Sequence, residues 1–266
     1  MPLVCLCSPK GGVGKTTMVA NLAYALARGG SKVLAIDFDV QNALRLHFGI
    51  PLSDERGYVA AAVDSPDWSQ SILTAGGNIF VLPYGGVTET QREDFDRHLA
   101  DPAFLARGLS AMLNYPGLVI LADFPPGPSP ALKAMTELAD LHLVVMQADT
   151  ASLSLLSPVE ENRFIGGPLN HKQGYYWLLN QTDTRRAISR DVAAYMHENK
   201  GDRLIGCVHR DESVVEANAS QRSIFDFSPA SAAAFDIELI SKRIAALLDI
   251  KVGNGEVHKT FVPASY

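Results

Sequence analysis

Apolar runs alternate with amphipathic stretches along most of the chain. Four mainly apolar runs are typical of strands and cover residues 3–7, 32–38, 117–122 and 141–147, and the continuous run at 117–122 is typical of a strand buried on both faces of a parallel sheet. Residues 15–28 lie between the first two runs and repeat apolar side chains at helical spacing. This order of strand, loop, helix and strand predicts a βαβ unit with a right-handed crossover.

Weaker patterns extend the alternation toward the end of the chain. They predict further strands at 78–82, 175–179 and 204–208, and helices at 103–114, 129–139, 150–164, 187–198 and 229–248. Repeated strand and helix alternation predicts a doubly wound α/β fold, in which a mostly parallel sheet carries helices on both faces. The polar residues 85–102 indicate a solvated helix face or a surface insertion. We expect one domain over residues 1–250, followed by a tail over 251–266.

The composition is that of an ordinary globular protein. Of the 266 residues 47% are hydrophobic and 20% charged, which excludes extensive disorder, and the net charge of −6 gives the chain as a whole no attraction to nucleic acid or anionic lipid. Cys5, Cys7 and Cys207 lie in apolar runs, as expected of buried thiols in a reducing compartment. No apolar run approaches the length of a membrane span, so we expect a soluble, cytoplasmic protein without its own membrane anchor.

The first strand and the first helix are joined by a glycine-rich loop, Ser8-Pro9-Lys10-Gly11-Gly12-Val13-Gly14-Lys15-Thr16-Thr17. Glycine lets the backbone approach a polyphosphate closely, so that successive N–H groups point at the anion. Lys15 would reach the β and γ phosphates, and the Thr16 hydroxyl would bind Mg²⁺ near the positive end of the helix dipole. We therefore predict a phosphate-binding loop whose contacts are Lys10, Gly11, Gly12, Val13, Gly14, Lys15, Thr16 and Thr17.

The loop departs from the general phosphate-loop pattern because Pro9 stands where a glycine is expected and Lys10 adds a second lysine. The string Lys-Gly-Gly-Val-Gly-Lys-Thr-Thr resembles the deviant Walker A loop of the MinD/ParA ATPases. This resemblance implies ATP as the nucleotide, Mg²⁺ as the metal, and a nucleotide-dependent homodimer in which Lys10 reaches the partner's nucleotide. Lys10 and Lys15 would then stabilise the transferring phosphoryl group, and hydrolysis would be slow and linked to dimerisation.

Carboxylates end two of the predicted strands, at the edge where open α/β sheets bind their ligands. Asp37 and Asp39 close the second predicted strand. Asp123 directly follows the apolar run at 117–122. The family resemblance implies that Asp37 and Asp123 join Thr16 in the Mg²⁺ shell and that Asp39 positions the attacking water. Asp37 or Asp39 taken alone is also typical of a residue that caps the following turn.

A polar segment follows the strand at 175–179. The family resemblance implies that Asn180 holds the adenine. The sequence Asn180-Gln181-Thr182-Asp183 also approaches the Asn-Lys-x-Asp guanine motif, with Gln181 in place of the lysine. A turn-forming Asx motif is the third interpretation, and the family resemblance favours ATP.

The segment after the strand at 204–208 is the other candidate contact with the nucleotide. His209 and Asp211 lie there, although MinD and ParA proteins usually have proline at the position of His209. A histidine that is satisfied within its own loop is the alternative. We do not expect a metal ligand, because no second His or Cys stands near His209 at ligand spacing.

Short segments resemble one branch of this superfamily. His-Arg-Asp-Glu at 209–212, together with 217–220, 225–235 and 42–48, looks like the cellulose-biosynthesis branch, BcsQ. This resemblance implies an ATPase that regulates the assembly or localisation of a membrane-bound cellulose synthase complex through protein partners, which would recruit it to the inner membrane or the cell pole. MinD-like proteins carry a membrane-targeting helix at the C-terminal end, and residues 251–266 show no such pattern.

Three alternative functions can each be distinguished from a BcsQ-like ATPase by one property. A ParA-like partition ATPase would bind non-specific DNA through Arg185, Arg186 and Arg190, but three arginines in an acidic chain are more typical of a solvated face or a partner contact, so DNA is not expected. An electron-transfer protein like the nitrogenase iron protein would need cysteines between residues 8 and 206, where there are none. A nucleotide-dependent scaffold would differ in having negligible hydrolysis.

Overall fold

Eight strands form one sheet in the computed structural model, which describes residues 1–161, 163–164 and 175–250. The strands are β1 (Leu3–Cys7), β2 (Lys32–Asp37), β3 (Leu73–Thr74), β4 (Ile79–Leu82), β5 (Leu118–Asp123), β6 (Leu141–Gln147), β7 (Tyr175–Thr182) and β8 (Leu204–His209). Their order across the sheet is β3-β4-β2-β5-β1-β6-β7-β8. Neighbouring strands run parallel, and β3 is antiparallel to β4.

Helices lie on both faces of this sheet. They are α1 (Lys15–Arg28), α2 (Glu89–His98), α3 (Pro102–Gly108), α4 (Ser110–Leu113), α5 (Pro130–Met135), α6 (Thr150–Leu153), α7 (Leu156–Glu160), α8 (Ala187–Lys200), α9 (Glu212–Ala219), α10 (Ile224–Phe227) and α11 (Ala232–Leu247). Short 3₁₀ segments lie at Leu44–Phe48, Val59–Ala61, Trp68–Ser71 and Gly201–Arg203. The predicted doubly wound α/β architecture is confirmed.

Both faces of the sheet are buried, because successive side chains of a strand point to opposite sides. In β1, Val4 and Leu6 belong to an apolar core that includes side chains of α1 and α11. Cys5 and Cys7 belong to a second core on the opposite face, against α2, α3, α5 and α8. All five residues of β1 are buried, as expected for the central strand of a parallel sheet.

The strand order places the glycine-rich loop at the middle of the sheet. β1 is hydrogen-bonded to β5 on one side and to β6 on the other, so the loop that leaves its carboxyl end lies at the topological switch point, where ligands of open α/β sheets bind. The register aligns Asp37 on β2 with Asp123 on β5, and Gln147 on β6 with Asn180 on β7. Residues that are distant in sequence therefore meet at one edge of the sheet.

Several predicted boundaries are wrong. The helix predicted at 103–114 is divided between α3 and α4, the one at 150–164 is divided between α6 and α7, and the one at 129–139 ends at Met135. Near that end the Thr136 hydroxyl donates to the Leu132 carbonyl at 3.2 Å, a side-chain bond that competes with helical backbone bonding. The strand predicted at 175–179 continues to Thr182, so Asn180 lies within a strand. The short elements β3, α9 and α10 were not predicted.

The polar segment 85–102 contains α2, whose exposed face confirms the predicted solvated helix. Thr88 and Gln91 form a reciprocal capping box at its start, and Phe95 is its buried residue. Phe95 packs against Trp68, which in turn fills the space beside Gly108, where an added Cβ would lie 2.2 Å from the indole ring. No helix among the residues that the structure describes is long and apolar enough to cross a bilayer, and the predicted tail at 251–266 lies outside them.

Candidate functional site

The glycine-rich loop has the backbone conformation of a tight anion-binding turn. Gly12 and Gly14 have φ values of +75° and +83°, a region that L side chains rarely adopt. α1 begins directly after Gly14, at Lys15. An added Cβ at Gly14 would lie 2.4 Å from the Asn180 side-chain nitrogen, so this glycine is required by both its conformation and its neighbour. Of the other predicted loop contacts, Val13 is buried in the core beneath, and Gly11 faces Pro126.

Lys15, Thr16 and Asp123 meet at the start of α1. The Lys15 ammonium donates to Asp123 Oδ1 at 3.1 Å, and the Thr16 hydroxyl donates to Asp123 Oδ2 at 2.6 Å. Asp123 is fully buried, and burial raises the pKa of its carboxyl group, while Lys15 and Thr16 act in the opposite direction. The structure therefore brings together three residues that the sequence placed in the phosphate and metal sites.

Asp37 lies beside this group and also supports the turn that follows β2. Its Oδ1 accepts from the Asp39 backbone N–H at 2.9 Å, and its Oδ2 accepts from the Leu44 backbone N–H at 3.1 Å. Burial, followed by repulsion from Asp123, raises the pKa of Asp37 well above its usual range. Asp37 therefore combines the turn-capping role with the position expected of a metal ligand.

The residues present fit Mg²⁺. Thr16, Asp37 and Asp123 supply the hard oxygen ligands that this ion prefers. Asp37 and Asp123 are buried on neighbouring strands, and Lys15 is paired with Asp123. A divalent cation would therefore offset the repulsion between the two carboxylates.

Asp39 differs from the other two aspartates because it is half-buried. Its Oδ1 accepts from the Gln41 backbone N–H at 3.0 Å, which forms an Asx turn. The role of Asp39 in positioning water stays a prediction.

The segment that follows Asp39 is fixed by a buried arginine. The Arg45 guanidinium is 7% exposed and donates to four backbone carbonyls, those of Asn42, Pro51, Leu52 and Asp54. Sequence analysis did not identify this role, because the acceptors are backbone atoms and carry no residue-type signal.

Lys10 lies on the other side of the loop, over the carboxyl end of β6. Its ammonium group donates to Asp149 Oδ2 at 2.8 Å and to Gln147 Oε1 at 3.2 Å. The Gln147 side-chain nitrogen in turn donates to the Gly12 carbonyl at 3.3 Å and to Gln181 Oε1 at 3.2 Å. Gln147 and Asp149 were not predicted as site residues, although Gln147 ends a predicted strand at the ligand-binding edge and Asp149 lies two residues beyond it. The reach of Lys10 to a partner subunit stays a prediction.

A cavity of about 150 Å³ adjoins the loop on the side of β7 and β8. Asn180 lines it, is 5% exposed, and donates from its side-chain nitrogen to the Val13 carbonyl at 2.8 Å. Asn180 thus braces the loop at the place where it would meet a base. Thr17 also lines the cavity and accepts from the Asn218 side chain at 3.3 Å.

His209, the last residue of β8, and Asp211, which directly precedes α9, line the same cavity. Asp211 caps α9 by accepting from the Ser213 N–H at 3.0 Å, and it also accepts from the Ala233 N–H at 3.3 Å. His209 is hydrogen-bonded to Asp236, as expected of a histidine that is satisfied locally. Direct contacts of His209 and Asp211 with a nucleotide stay predictions.

Comparison with known proteins places the chain in a family. The model of the family "Cellulose biosynthesis protein BcsQ" matches residues 1–244. The cellulose biosynthesis protein BcsQ of Salmonella typhimurium is 27% identical over 244 residues, which cover 89% of this chain and 91% of that protein. The chromosome-partitioning ATPase Soj of Thermus thermophilus is 27% identical over 250 residues, which cover 91% of this chain and 95% of that protein.

A solved structure confirms the fold. The septum site-determining protein MinD of Pyrococcus horikoshii, in complex with Mg-ADP, superposes with a TM-score of 0.70 at 22% identity, over 92% of this chain and 96% of that chain. The predicted resemblance to MinD/ParA proteins and to their cellulose-biosynthesis branch is therefore confirmed, and the chain belongs to the BcsQ family of cellulose biosynthesis proteins, within the MinD/ParA class of P-loop proteins.

Proposed function

We propose that this protein is a Mg²⁺-dependent ATPase that forms a homodimer around two nucleotides and regulates the assembly or localisation of a membrane-bound cellulose synthase complex. The observation that carries the proposal is the meeting of Lys15, Thr16 and Asp123 at the end of the glycine-rich loop, at the central switch point of the sheet. Family membership supplies the link to cellulose.

The chemistry would be mainly electrostatic. The loop N–H groups and Lys15 would bind the phosphates, while Thr16, Asp37 and Asp123 would hold the metal. The bound Mg²⁺ would supply charge neutralisation at the phosphates. Asp39, next to the buried carboxylates and more exposed than they are, would orient the attacking water. Lys15 is paired with Asp123 in this structure, so its ammonium group would exchange this contact for the phosphates.

Lys10 would complete the site of the partner subunit. Its side chain is about one-third exposed at 32%, unlike that of Lys15 at 8%, so it lies at the surface of the loop where a second copy can approach. To act there it must leave Asp149 and Gln147. We expect hydrolysis to be slow and to depend on dimerisation for this reason.

Protein partners, rather than DNA, would connect the ATPase to its target. Two of the arginines that a DNA-binding role would use already have acceptors, since Arg185 pairs with Asp183 at 2.9 Å and Arg190 donates to the Thr184 carbonyl at 2.8 Å. The protein would therefore reach the membrane through other components of the cellulose complex.

Two lysine substitutions test the mechanism. We expect Lys15→Ala to abolish binding of a fluorescent ATP analogue, because it removes the main phosphate contact inside the site. We expect Lys10→Ala to bind the analogue within a few-fold of wild type but to lose both turnover and the dimer seen by light scattering with a non-hydrolysable nucleotide. Lys133→Ala, at an exposed position of α5, is the matched control. If neither Lys10 nor Lys15 affects binding, dimerisation or turnover, the mechanism is wrong.

A cellular assay tests the link to cellulose. In a cellulose-producing strain that lacks its own BcsQ, the wild-type chain should restore cellulose output and Lys15→Ala should not. Failure of a well-expressed wild-type chain to restore output would contradict the cellulose assignment while leaving the ATPase mechanism intact.

A further inference from the structure

The imidazole of His209 is held in one orientation by a carboxylate of α11. Asp236 Oδ2 accepts from the His209 ring nitrogen Nδ1 at 2.8 Å and from the His209 backbone N–H at 2.9 Å. The Asp236 side chain is 13% exposed, and the His209 side chain is 45% exposed. Two bonds to one carboxylate oxygen therefore fix both the backbone and the ring at this position.

This arrangement decides which ring nitrogen carries the proton. A carboxylate accepts hydrogen bonds and cannot donate them, so Nδ1 must be the donor. In the neutral ring the other nitrogen, Nε2, then has a free lone pair and is an acceptor. Asp236 thus fixes the tautomer of the neutral ring, in which Nε2 is the acceptor.

His209 lines the cavity of about 150 Å³ beside Gly14 of the glycine-rich loop. The neighbouring residues hold the same wall in place, because the Arg210 N–H donates to the Thr182 carbonyl at 2.8 Å and Asp211 links α9 to α11. A nucleotide whose phosphates lie on the loop would place its base in this cavity. The base would therefore meet a wall to which His209 contributes.

Other polar groups near the cavity are held by their neighbours. The Asn180 side-chain nitrogen donates to the Val13 carbonyl, and Gln181 Oε1 accepts from the Gln147 side chain. Asp183, which would read guanine in the Asn-Lys-x-Asp pattern, accepts three hydrogen bonds from the backbone and guanidinium of Arg185, at 2.9 to 3.0 Å. Its carboxylate is therefore engaged within its own turn.

We propose that His209 is a specificity-determining residue for the base and that Asp236 is its positioning residue. The Nε2 lone pair matches a base with an exocyclic amino group, as in adenine, and opposes the O6 carbonyl of guanine. This inference rests on the proposed nucleotide site, and it adds to it the pair of side chains that selects ATP over GTP.

The test is the ratio of ATP to GTP affinity, measured with Mg²⁺ by competition against ribose-labelled ADP. We expect wild type to prefer ATP and His209→Phe, which keeps a ring but removes the acceptor, to lower this preference by about tenfold, the effect of one hydrogen bond. Asp236→Ala frees the ring and should lower the preference by about threefold. Glu238→Ala, on the same helix and paired with Lys242, should leave it unchanged.

An unchanged ratio of ATP to GTP affinity in His209→Phe, or an equal loss of affinity for both nucleotides, would overturn the inference. A ring with only a structural role would not change the preference between the two bases. Thermal melting of each variant identifies any loss of folding, and His209→Phe retains Asp236 if Asp236→Ala proves unstable. Failure of the proposed function is distinguishable. In that case wild type binds no ATP, or Lys15→Ala binds it as well as wild type does.

Discussion

His142 is a buried histidine on β6, far from the ligand-binding edge. It is 4% exposed, and its ring lies 6.3 Å from that of Tyr175. Burial lowers the pKa of His142 from 6.5 to about 4. In the unfolded chain the same group takes up a proton near pH 6.5, so acid favours unfolding. A single residue therefore links the stability of the sheet to pH.

Above pH 6.5 we expect the protonation of His142 to have no effect on the free energy of unfolding. As the pH is lowered from 6.5 toward 4, the free energy of unfolding should fall. The shift corresponds to roughly 3 kcal/mol. His142→Leu should remove this part of the pH dependence in urea unfolding. His197→Gln, at an exposed position of α8, should keep it. A wild-type slope in His142→Leu would contradict the assignment.

At the scale of an element, the segment between β2 and β3 depends on Arg45. Its guanidinium donates to backbone carbonyls that are spread over Asn42–Asp54. Besides Arg45, the Pro51 carbonyl also accepts from the Asp54 N–H at 3.0 Å. Arg45 thus ties together parts of the loop that follows Asp37 and Asp39, beside the contacts that Asp37 makes to the Asp39 and Leu44 N–H groups.

Arg45→Met should destabilise the protein by about 1–3 kcal/mol, because it removes four hydrogen bonds from a largely buried arginine to the backbone of this segment. We also expect faster amide hydrogen exchange over residues 39–56 than elsewhere in the chain. Arg56→Met is the matched control in the same loop, since Arg56 is exposed and bonds the Asp54 side chain. A change in Arg45→Met as small as that of this control would show that the loop is held by other contacts.

The long buried strands and α1 were predictable, because their apolar patterns are continuous and their ends are marked by glycine and aspartate. α9 and α10 were not predicted, since each is short and is defined largely by its caps, Asp211 and Ser223. The loop lysines were singled out from the motif and the three aspartates from the ends of predicted strands, and the roles that the family resemblance implies for them stay predictions. The partners Asp149 and Asp236 were not, because they lie 139 and 27 residues from Lys10 and His209, and nothing local to either indicates the contact.

At the scale of the whole molecule, the position of Lys10 controls association in the proposed mechanism. In one chain the ammonium group pairs with Asp149, and the two side chains are 32% and 33% exposed. Such a partly exposed ion pair contributes about 0–1 kcal/mol. Each subunit of a dimer must break it if Lys10 is to reach the partner's nucleotide.

Asp149→Asn should therefore strengthen dimerisation with a non-hydrolysable ATP analogue by between about two- and tenfold, measured by sedimentation. Asparagine keeps the cap that Asp149 provides for α6, so folding should be preserved. Asp94→Asn removes a comparable exposed pair with Arg97 and should leave dimerisation unchanged. Weaker dimerisation in Asp149→Asn would instead show that this carboxylate acts across the interface.

β1 lies between two groups of strands that carry different parts of the candidate site. β2 and β5, on one flank, end in the aspartates that would handle metal and water. β6, β7 and β8, on the other flank, carry Gln147, Asn180 and His209, which surround Lys10 and the cavity. The glycine-rich loop joins the two flanks, because Lys15 contacts Asp123 on one side while Gly12 and Val13 accept from Gln147 and Asn180 on the other. A substitution beside the cavity would therefore reach the metal side through the backbone of this loop.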